Sequence, residues 1–495
     1  MNRPIRVMAI GCLLMFVALM LNANYLQYVD AGNLNAKAGN RRVLVDEYSR
    51  ERGPIVVGGK SIAKSVPSDD EYKYQRRYTH THLYANLTGY YSFVYGSSGL
   101  ERSQNGILSG SDPRLFVNRV IDLVSSTSPK GGSVSLTIDP AAQQAAYDGL
   151  RKLAGGTQGA VVALDPSTGG VLAMVSTPGY NPNRLASHDF SSASKYYERL
   201  LADKKTPTRD RSRQDIFPPG STFKLVTAAA ALSDGDLGLT PDSMVPAGPS
   251  LSFPDGGSYQ LRNESDAVCG ASQLTLTQAL DASCNVAFGR LALKVGGPAL
   301  QAQAEAFGFG DNGYLDGLDV AKSQFTTGDP AKLNGPQTAQ SGIGQYNVAT
   351  TPLQMAMVAA GIANGGTVMK PYIVSQVRSP EAQVLERTTP EVLHDAVSGD
   401  VAQELTQMMT DVVAHGTATS VQIPGLLVAG KTGTAQTSTT RNPFAWMVSF
   451  APADNPRVAV AVFIQDASGV ARNDISGGGL AGPIAKAVME AVLRP

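Results

Sequence analysis

Apolar and polar positions are arranged in blocks of different period along the chain, and the blocks predict its elements. An apolar run from Val7 to Leu21 follows Arg3 and Arg6, and with Asn22 to Val29 it is long enough to cross a membrane. From about Ala31 to Lys130 the chain is polar and rich in Gly, Ser, Asn and Tyr, with short alternating segments such as Tyr90 to Tyr95. This reads as an irregular, strand-containing module that ends in a linker, Ser125 to Gly132. A second domain starts near Val134. Gly159 to Leu164 and Val171 to Ser176 are apolar runs separated by the turn cluster Asp165-Pro166-Ser167-Thr168-Gly169-Gly170, the pattern of two antiparallel strands. Helical periodicity follows over Thr222 to Leu232, Leu274 to Leu280, Val286 to Val295 and Pro352 to Ala363. Strand-like runs return at Leu426 to Thr437, Phe444 to Ala451 and Arg457 to Gln465, and a helix from about Pro483 to Leu493 closes the chain. The plan is a strand pair, a helical insert, a strand triplet and a final helix. It predicts an α+β domain whose single sheet is assembled from both ends of the sequence.

Composition removes several classes of function. At 495 residues the chain can bury a large core and should hold two or more domains. Lys and Arg together number 41, as do Asp and Glu, so there is no electrostatic footprint for nucleic acid. Five histidines and three cysteines, without C-x-x-C or H-E-x-x-H, leave a metal without ligands, and no cofactor is expected. His80 and His82, the nearest pair, read as surface residues.

The N-terminal pattern predicts the compartment. Residues 1–6 form a cytoplasmic stub and 7–29 a membrane anchor, with Tyr25 and Tyr28 at the outer interface; the remainder lies on the far side. A cleaved signal peptide is the rival, but no small-x-small site follows Leu21. Cys12 is no lipidation site, since the apolar run follows it instead of preceding it.

The chemistry concentrates at Pro218-Pro219-Gly220-Ser221-Thr222-Phe223-Lys224, where the prolines and glycine stop the preceding segment and an alanine-rich helix is expected to begin at Ser221. Lys224, three residues on, shares a face with Ser221. A serine hydroxyl becomes a nucleophile when a neighbour takes its proton, and an amine does so only when neutral. Burial would have to lower the lysine pKa by about three units, roughly 4 kcal/mol against the charged form. S-x-x-K alone is weak: Ser61 with Lys64 and Ser192 with Lys195 match it without the Pro-Pro-Gly stop or the apolar helix.

Two further stretches strengthen it. Ser283-Cys284-Asn285 falls between two helical patterns, in a turn able to aim two polar side chains one way. Lys431-Thr432-Gly433-Thr434 lies in a β-rich run, where Thr432 and Thr434 face one side and Gly433 admits a substrate backbone. Gly425 to Thr432 also satisfies the phosphate-binding pattern G-x-x-x-x-G-K-T, but a strand surrounds the lysine where that motif needs a helix start. S-x-x-K, S-x-N about sixty residues later and K-T-G about 150 beyond make the set of penicillin-binding proteins and serine β-lactamases.

With PPGSTFK, SCN and KTGTAQ in place, the chain resembles the penicillin-binding transpeptidases over most of its length. Gly159 to Asn183 resembles the family's opening hairpin, and Gly342-Ile343-Gly344-Gln345 and Ala363-Asn364-Gly365-Gly366 its connecting segments. Arg52-Gly53-Pro54-Ile55 and Gly96 to Glu101 resemble the pedestal of class B members, and the chain is most like the short actinobacterial ones, which are associated with cell division. The resemblance implies a serine β-lactamase-like domain over 134–495, with a five-stranded antiparallel sheet and an all-helical subdomain, on a pedestal over 30–133.

By that similarity Ser221 is acylated by a D-Ala-D-Ala stem peptide or, covalently, by a β-lactam, with Lys224 as base. Ser283 relays a proton, Asn285 holds the substrate amide, and Lys431, Thr432, Gly433 and Thr434 bind its carboxylate. The backbone N–H groups of Ser221 and Thr434 form the oxyanion hole, and an amine from a neighbouring strand resolves the acyl-enzyme. A membrane glycan polymerase and division proteins are the implied partners. A β-lactamase or a D,D-carboxypeptidase shares the acylating groups, and a non-catalytic division scaffold is the alternative of another class. The chain departs from the family pattern in three places. Val56-Val57-Gly58 stand where the pedestal usually has an acidic residue for its local salt bridges, and Asp210-Arg211-Ser212 replace Asn-Arg-Ala. Cys284 is unusual inside the second motif, and with Cys269 fifteen residues before it in an oxidising compartment, a disulfide is expected.

Overall fold

A computed structural model describes residues 3–26, 45, 48–115, 130–153, 157–436, 442–467 and 469–494. Tyr28 and most of the expected linker lie outside them. Helix α1 (Arg3–Asn24) is followed by strands β1 (Ile55–Val57), β2 (Lys60–Pro67), β3 (Tyr74–Tyr78) and β4 (Ser133–Leu136). Helix α2 (Pro140–Lys152) precedes the antiparallel pair β5 (Gln158–Leu164) and β6 (Val171–Thr177). A mainly helical stretch carries α3 (Lys224–Ser233), α4 (Leu276–Asp281), α5 (Asn285–Val295) and α6 (Pro352–Ala363). Strands β7 (Val374–Arg378) and β8 (Val384–Arg387) and helix α7 (Gly399–Ala414) lead to β9 (Ala429–Ala435), β10 (Phe444–Ala451), β11 (Val458–Asp466) and helix α8 (Gly482–Leu493).

Helix α1 is long and apolar enough to cross a membrane, with a mean hydropathy of 2.3 and no buried residue. The main sheet has the order β9-β10-β11-β5-β6, all antiparallel, so strands from both ends of the catalytic part meet where β5 pairs with β11. Both faces of β5, β10 and β11 are buried, which is why these strands read as continuous apolar runs. Helices α2 and α8 cover one part of this sheet and α6 another. Every residue of α6 from Pro352 to Ile362 is buried, as an apolar helix at the centre of a core must be.

A second sheet, in the order β8-β7-β4-β1-β2-β3, belongs to both halves of the chain. Strand β4 pairs in parallel with β1 and antiparallel with β7, so the pedestal strands are completed by residues that follow the helical insert. Beside it Glu101, fully buried, bridges Arg52 (Nε to Oε2, 2.6 Å) and Arg76 (Nε to Oε1, 2.7 Å) and accepts from Tyr78 Oη at 3.1 Å. Glu101 thus supplies the carboxylate that the Val56-Val57-Gly58 stretch lacks. Burial pushes its pKa up, but Arg76 and Arg52 outweigh burial and hold it below the ordinary value.

Two local expectations are corrected. The helix expected over Leu274–Leu280 starts only at Leu276, because Gln273–Thr275 is a strand. Thr275 Oγ1 accepts from Gln278 N while Gln278 Oε1 accepts from Thr275 N, a capping box that marks the true start. The α-helix expected from Ser221 begins at Lys224, and Gly220–Phe223 is a tighter 3-10 turn.

Candidate active site

Ser221 is placed by backbone that only glycine tolerates. Gly220 has φ +54°, and a Cβ there would stand 2.7 Å from the Thr434 carbonyl oxygen. Its N–H donates to the Gly344 carbonyl at 2.9 Å; Gly344 has φ +73°, and a Cβ on it would meet the Gly220 oxygen at 2.1 Å. From below, the buried Trp446 on β10 donates Nε1–H to the Pro218 carbonyl at 2.9 Å. The 3-10 turn eclipses positions three apart, which sets Lys224 behind Ser221.

Lys224 is fully buried. Its Nζ lies 2.6 Å from the Ser283 carbonyl oxygen, 2.8 Å from Asn285 Oδ1 and 3.2 Å from Ser283 Oγ. Burial first, and the neighbouring Lys431 charge second, push its pKa well below the ordinary lysine value, while Glu264 pulls the other way. Lys431, equally buried, reaches Ser283 Oγ at 2.9 Å and the Thr432 carbonyl at 2.9 Å. Burial pushes it down to about 7 against the opposing pull of Glu264 and Asp281. Both amines are thus pushed toward the neutral form, each chiefly by burial.

Ser283 adopts φ +56°, a left-handed conformation that costs a non-glycine residue of order 1 kcal/mol or more and persists where its surroundings enforce it. Here Lys224 and Lys431 hold its side chain, and the next residue, Cys284, is disulfide-bonded to Cys269 with Cα atoms 5.3 Å apart. Asn285 opens α5; its Nδ2 donates to the Arg262 carbonyl at 3.1 Å, leaving Oδ1 for Lys224. Thr432 and Thr434 both border the cleft, and Thr432 Oγ1 lies 2.6 Å from Thr417 Oγ1. Strand β9 is the edge of its sheet, so part of its backbone remains open to a ligand.

The structure therefore brings together Ser221, Lys224, Ser283, Asn285, Lys431, Thr432, Gly433 and Thr434 from two helix starts, one turn and one strand. Among the described residues no hydrogen bond reaches the Ser221 hydroxyl, and no group of three or more His, Cys, Asp or Glu is placed to hold a metal. Thr417 and Glu264, which also border the cleft, were not found from sequence. Neither belongs to a motif; the sequence feature that could have pointed there is Gly477-Gly478-Gly479, where a Cβ on Gly478 would stand 2.7 Å from the Thr417 carbonyl oxygen. A lysine pair converging on a serine hydroxyl beside a second serine, in this sheet-and-helix frame, defines a serine acyltransferase of the penicillin-interacting kind.

Comparison with known proteins agrees. Residues 159–490 match the penicillin-binding protein transpeptidase domain and residues 52–134 the penicillin-binding protein A dimerisation domain, and the chain belongs to the penicillin-binding protein transpeptidase family. It is 43% identical to the peptidoglycan D,D-transpeptidase PbpA of Mycolicibacterium smegmatis, over all of this chain and 99% of that one. Among solved structures, the ceftriaxone acyl-enzyme of penicillin-binding protein A from Mycobacterium tuberculosis covers 91% of this chain and 100% of its own at 40% identity, with TM-score 0.86. The D,D-transpeptidase domain from Eggerthella lenta covers 90% of this chain and 98% of its own at 32% identity, with TM-score 0.75.

Proposed function

We propose that the chain is a peptidoglycan D,D-transpeptidase that forms an acyl-enzyme at Ser221. The observation that carries this reading is the convergence of two buried lysines on the Ser283 hydroxyl beside Ser221. As a neutral amine Lys224 spends its two N–H bonds on the Ser283 carbonyl and Asn285 Oδ1, and its lone pair is left for a hydroxyl proton. It takes the Ser221 proton as Oγ attacks the carbonyl of the penultimate D-Ala, and the Ser221 and Thr434 N–H groups receive the oxyanion. As the C–N bond breaks, Ser283 Oγ–H protonates the departing D-Ala amine and is resupplied from Lys224. Lys431, with Thr432 and Thr434, holds the terminal carboxylate, and Gly433 lets the peptide approach β9. An amine of a neighbouring strand then attacks the ester, and the same proton path runs backwards to restore Ser221. A β-lactam follows the first half and stays attached.

Helix α1 anchors the chain with Arg3 and Arg6 on the cytoplasmic side, which leaves the catalytic part outside the cell membrane. The pedestal is the docking site for a membrane glycan polymerase and division proteins. The test is intact mass of the detergent-solubilised chain after benzylpenicillin, beside Ser221→Ala. A persistent adduct absent only from Ser221→Ala is expected. A short-lived adduct with drug turnover indicates a β-lactamase, and no adduct on folded protein indicates a scaffold.

A further inference from the structure

Two cavities, of about 750 and about 530 Å³, open beside Ser221, and Ser221, Glu264, Thr434 and Ser476 line both. The larger runs past Asn285 and Gln436, and the smaller past Ser283, Thr432 and Thr417. If Thr432 and Lys431 hold the terminal D-Ala carboxylate, the leaving amine departs through the smaller cavity. The attacking group must then enter the same way, because the second half of the reaction retraces the first.

Glu264 is the single acidic side chain in either wall. It is exposed, and among the described residues it makes no ion pair or side-chain hydrogen bond. It lines both cavities that meet at Ser221, and its charge raises the pKa of both buried lysines against the effect of burial. The residues on either side of it are fixed. Asn263 Oδ1 accepts from Val286 N at 3.0 Å and its Nδ2 donates to the Gly248 carbonyl at 2.9 Å. Ser265 caps the short helix Asp266–Cys269, which the disulfide ties to the Ser283 turn. An unpaired carboxylate is thus held on an anchored loop at the entrance used by the second substrate.

Water and an amine both fit that entrance, but at neutral pH the amine arrives as an ammonium and must lose a proton before it can attack. We propose that Glu264 is the acceptor-binding residue, its carboxylate holding the acceptor ammonium in the smaller cavity and removing one proton to free the nucleophile. This rests on the transpeptidase reading. The nitrogen lone pair attacks the Ser221 ester carbonyl and forms the C–N bond. The second nitrogen proton passes through Ser283 and Lys224 to Ser221 Oγ as the C–O bond breaks, and Glu264 returns its proton to water. A carboxylate at this point also favours amine over water by concentrating cations where the ester is exposed.

The experiment uses the full-length chain in detergent with a thioester analogue of the acyl-D-Ala donor, and reads the ratio of aminolysis to hydrolysis product by mass spectrometry. D-alanine, a zwitterion whose amino group is an ammonium at neutral pH, and hydroxylamine, uncharged there, are the two nucleophiles. Glu264→Gln is expected to lower the ratio at least tenfold with D-alanine and less than twofold with hydroxylamine, and Glu264→Asp to recover part of the loss. An unchanged ratio, or an equal loss with both nucleophiles, overturns the assignment. So does a Glu264→Gln chain that no longer forms the benzylpenicillin adduct, because the residue then acts before the acceptor arrives. Absence of the adduct in the unsubstituted chain would instead refute the transpeptidase reading itself.

Discussion

Lys431 Nζ reaches Ser283 Oγ at 2.9 Å, and the same oxygen lies 3.2 Å from Lys224 Nζ. One hydroxyl therefore joins the two buried amines. Ser283→Ala removes the link without removing either amine. Positioned proton transfer contributes about 10²–10⁴-fold, so benzylpenicillin acylation should slow by at least about 10²-fold. The time course of adduct mass measures this, and a loss within threefold would remove Ser283 from the path.

Because Lys431 is pushed down to about 7, its charge fades just above neutrality. Burial, and the Lys431 charge after it, also push Lys224 well below the ordinary lysine value. The second-order rate of acylation by benzylpenicillin, a carboxylate, should fall on the alkaline side with a midpoint near 7. Asp281 is an anion that holds the Lys431 proton on. Asp281→Asn should shift the falling limb to lower pH, and a limb that stays in place would disconnect Lys431 from it.

The same lysine sets a stability slope. In the unfolded chain it titrates at about 10.4. Between about 7 and that value the unfolded state binds a proton that the folded state does not, so stability rises with pH across the window and is lost as pH falls through it. The slope is about 1.4 kcal/mol per pH unit for each such lysine. Thermal melting from pH 7 to 9 should show Tm rising, and Lys431→Met should make the rise shallower by the share of one lysine.

In the pedestal, Glu101→Gln leaves Arg52 and Arg76 buried opposite a neutral amide. Breaking a buried charge cluster from one side costs about 3–5 kcal/mol. Denaturant unfolding of the variant should show a loss of that size. A loss below about 1 kcal/mol would mean that water reaches the arginines.

What could be read from sequence follows the range of the interactions involved. Phe444–Ala451 and Pro352–Ala363 were expected with the bounds they have, since each is a mostly apolar run buried over nearly its whole length. The three motifs were legible because each is short and its parts lie in one turn or strand. The start of α4 was misplaced because Leu274 and Leu276 are both buried, and apolar spacing cannot separate a strand residue from a helix residue two positions on. The 3-10 turn at Ser221 was hidden because it is imposed by Gly344 and Thr434, both far off in sequence. Strands β7 and β8 had no visible partner, since Val377 pairs with Val134 across the whole helical insert. Glu264 carries no pattern, and only the cavities that meet at Ser221 single it out.

The pairing of Leu164 with Ala459 has a kinetic meaning as well. Strand β5 waits for β11, the central strand of the main sheet, which is synthesised almost last, and such distant closures make folding slow. The second sheet waits too, because β4 needs β7. An emerging chain therefore carries Ser221 and Lys224 long before Lys431 and the C-terminal strands arrive to complete the frame, and until then Lys224 is an ordinary cation. Reactivity appears only when the C-terminal strands close the sheet, so a truncated or half-folded copy is chemically inert toward the wall it is built to join.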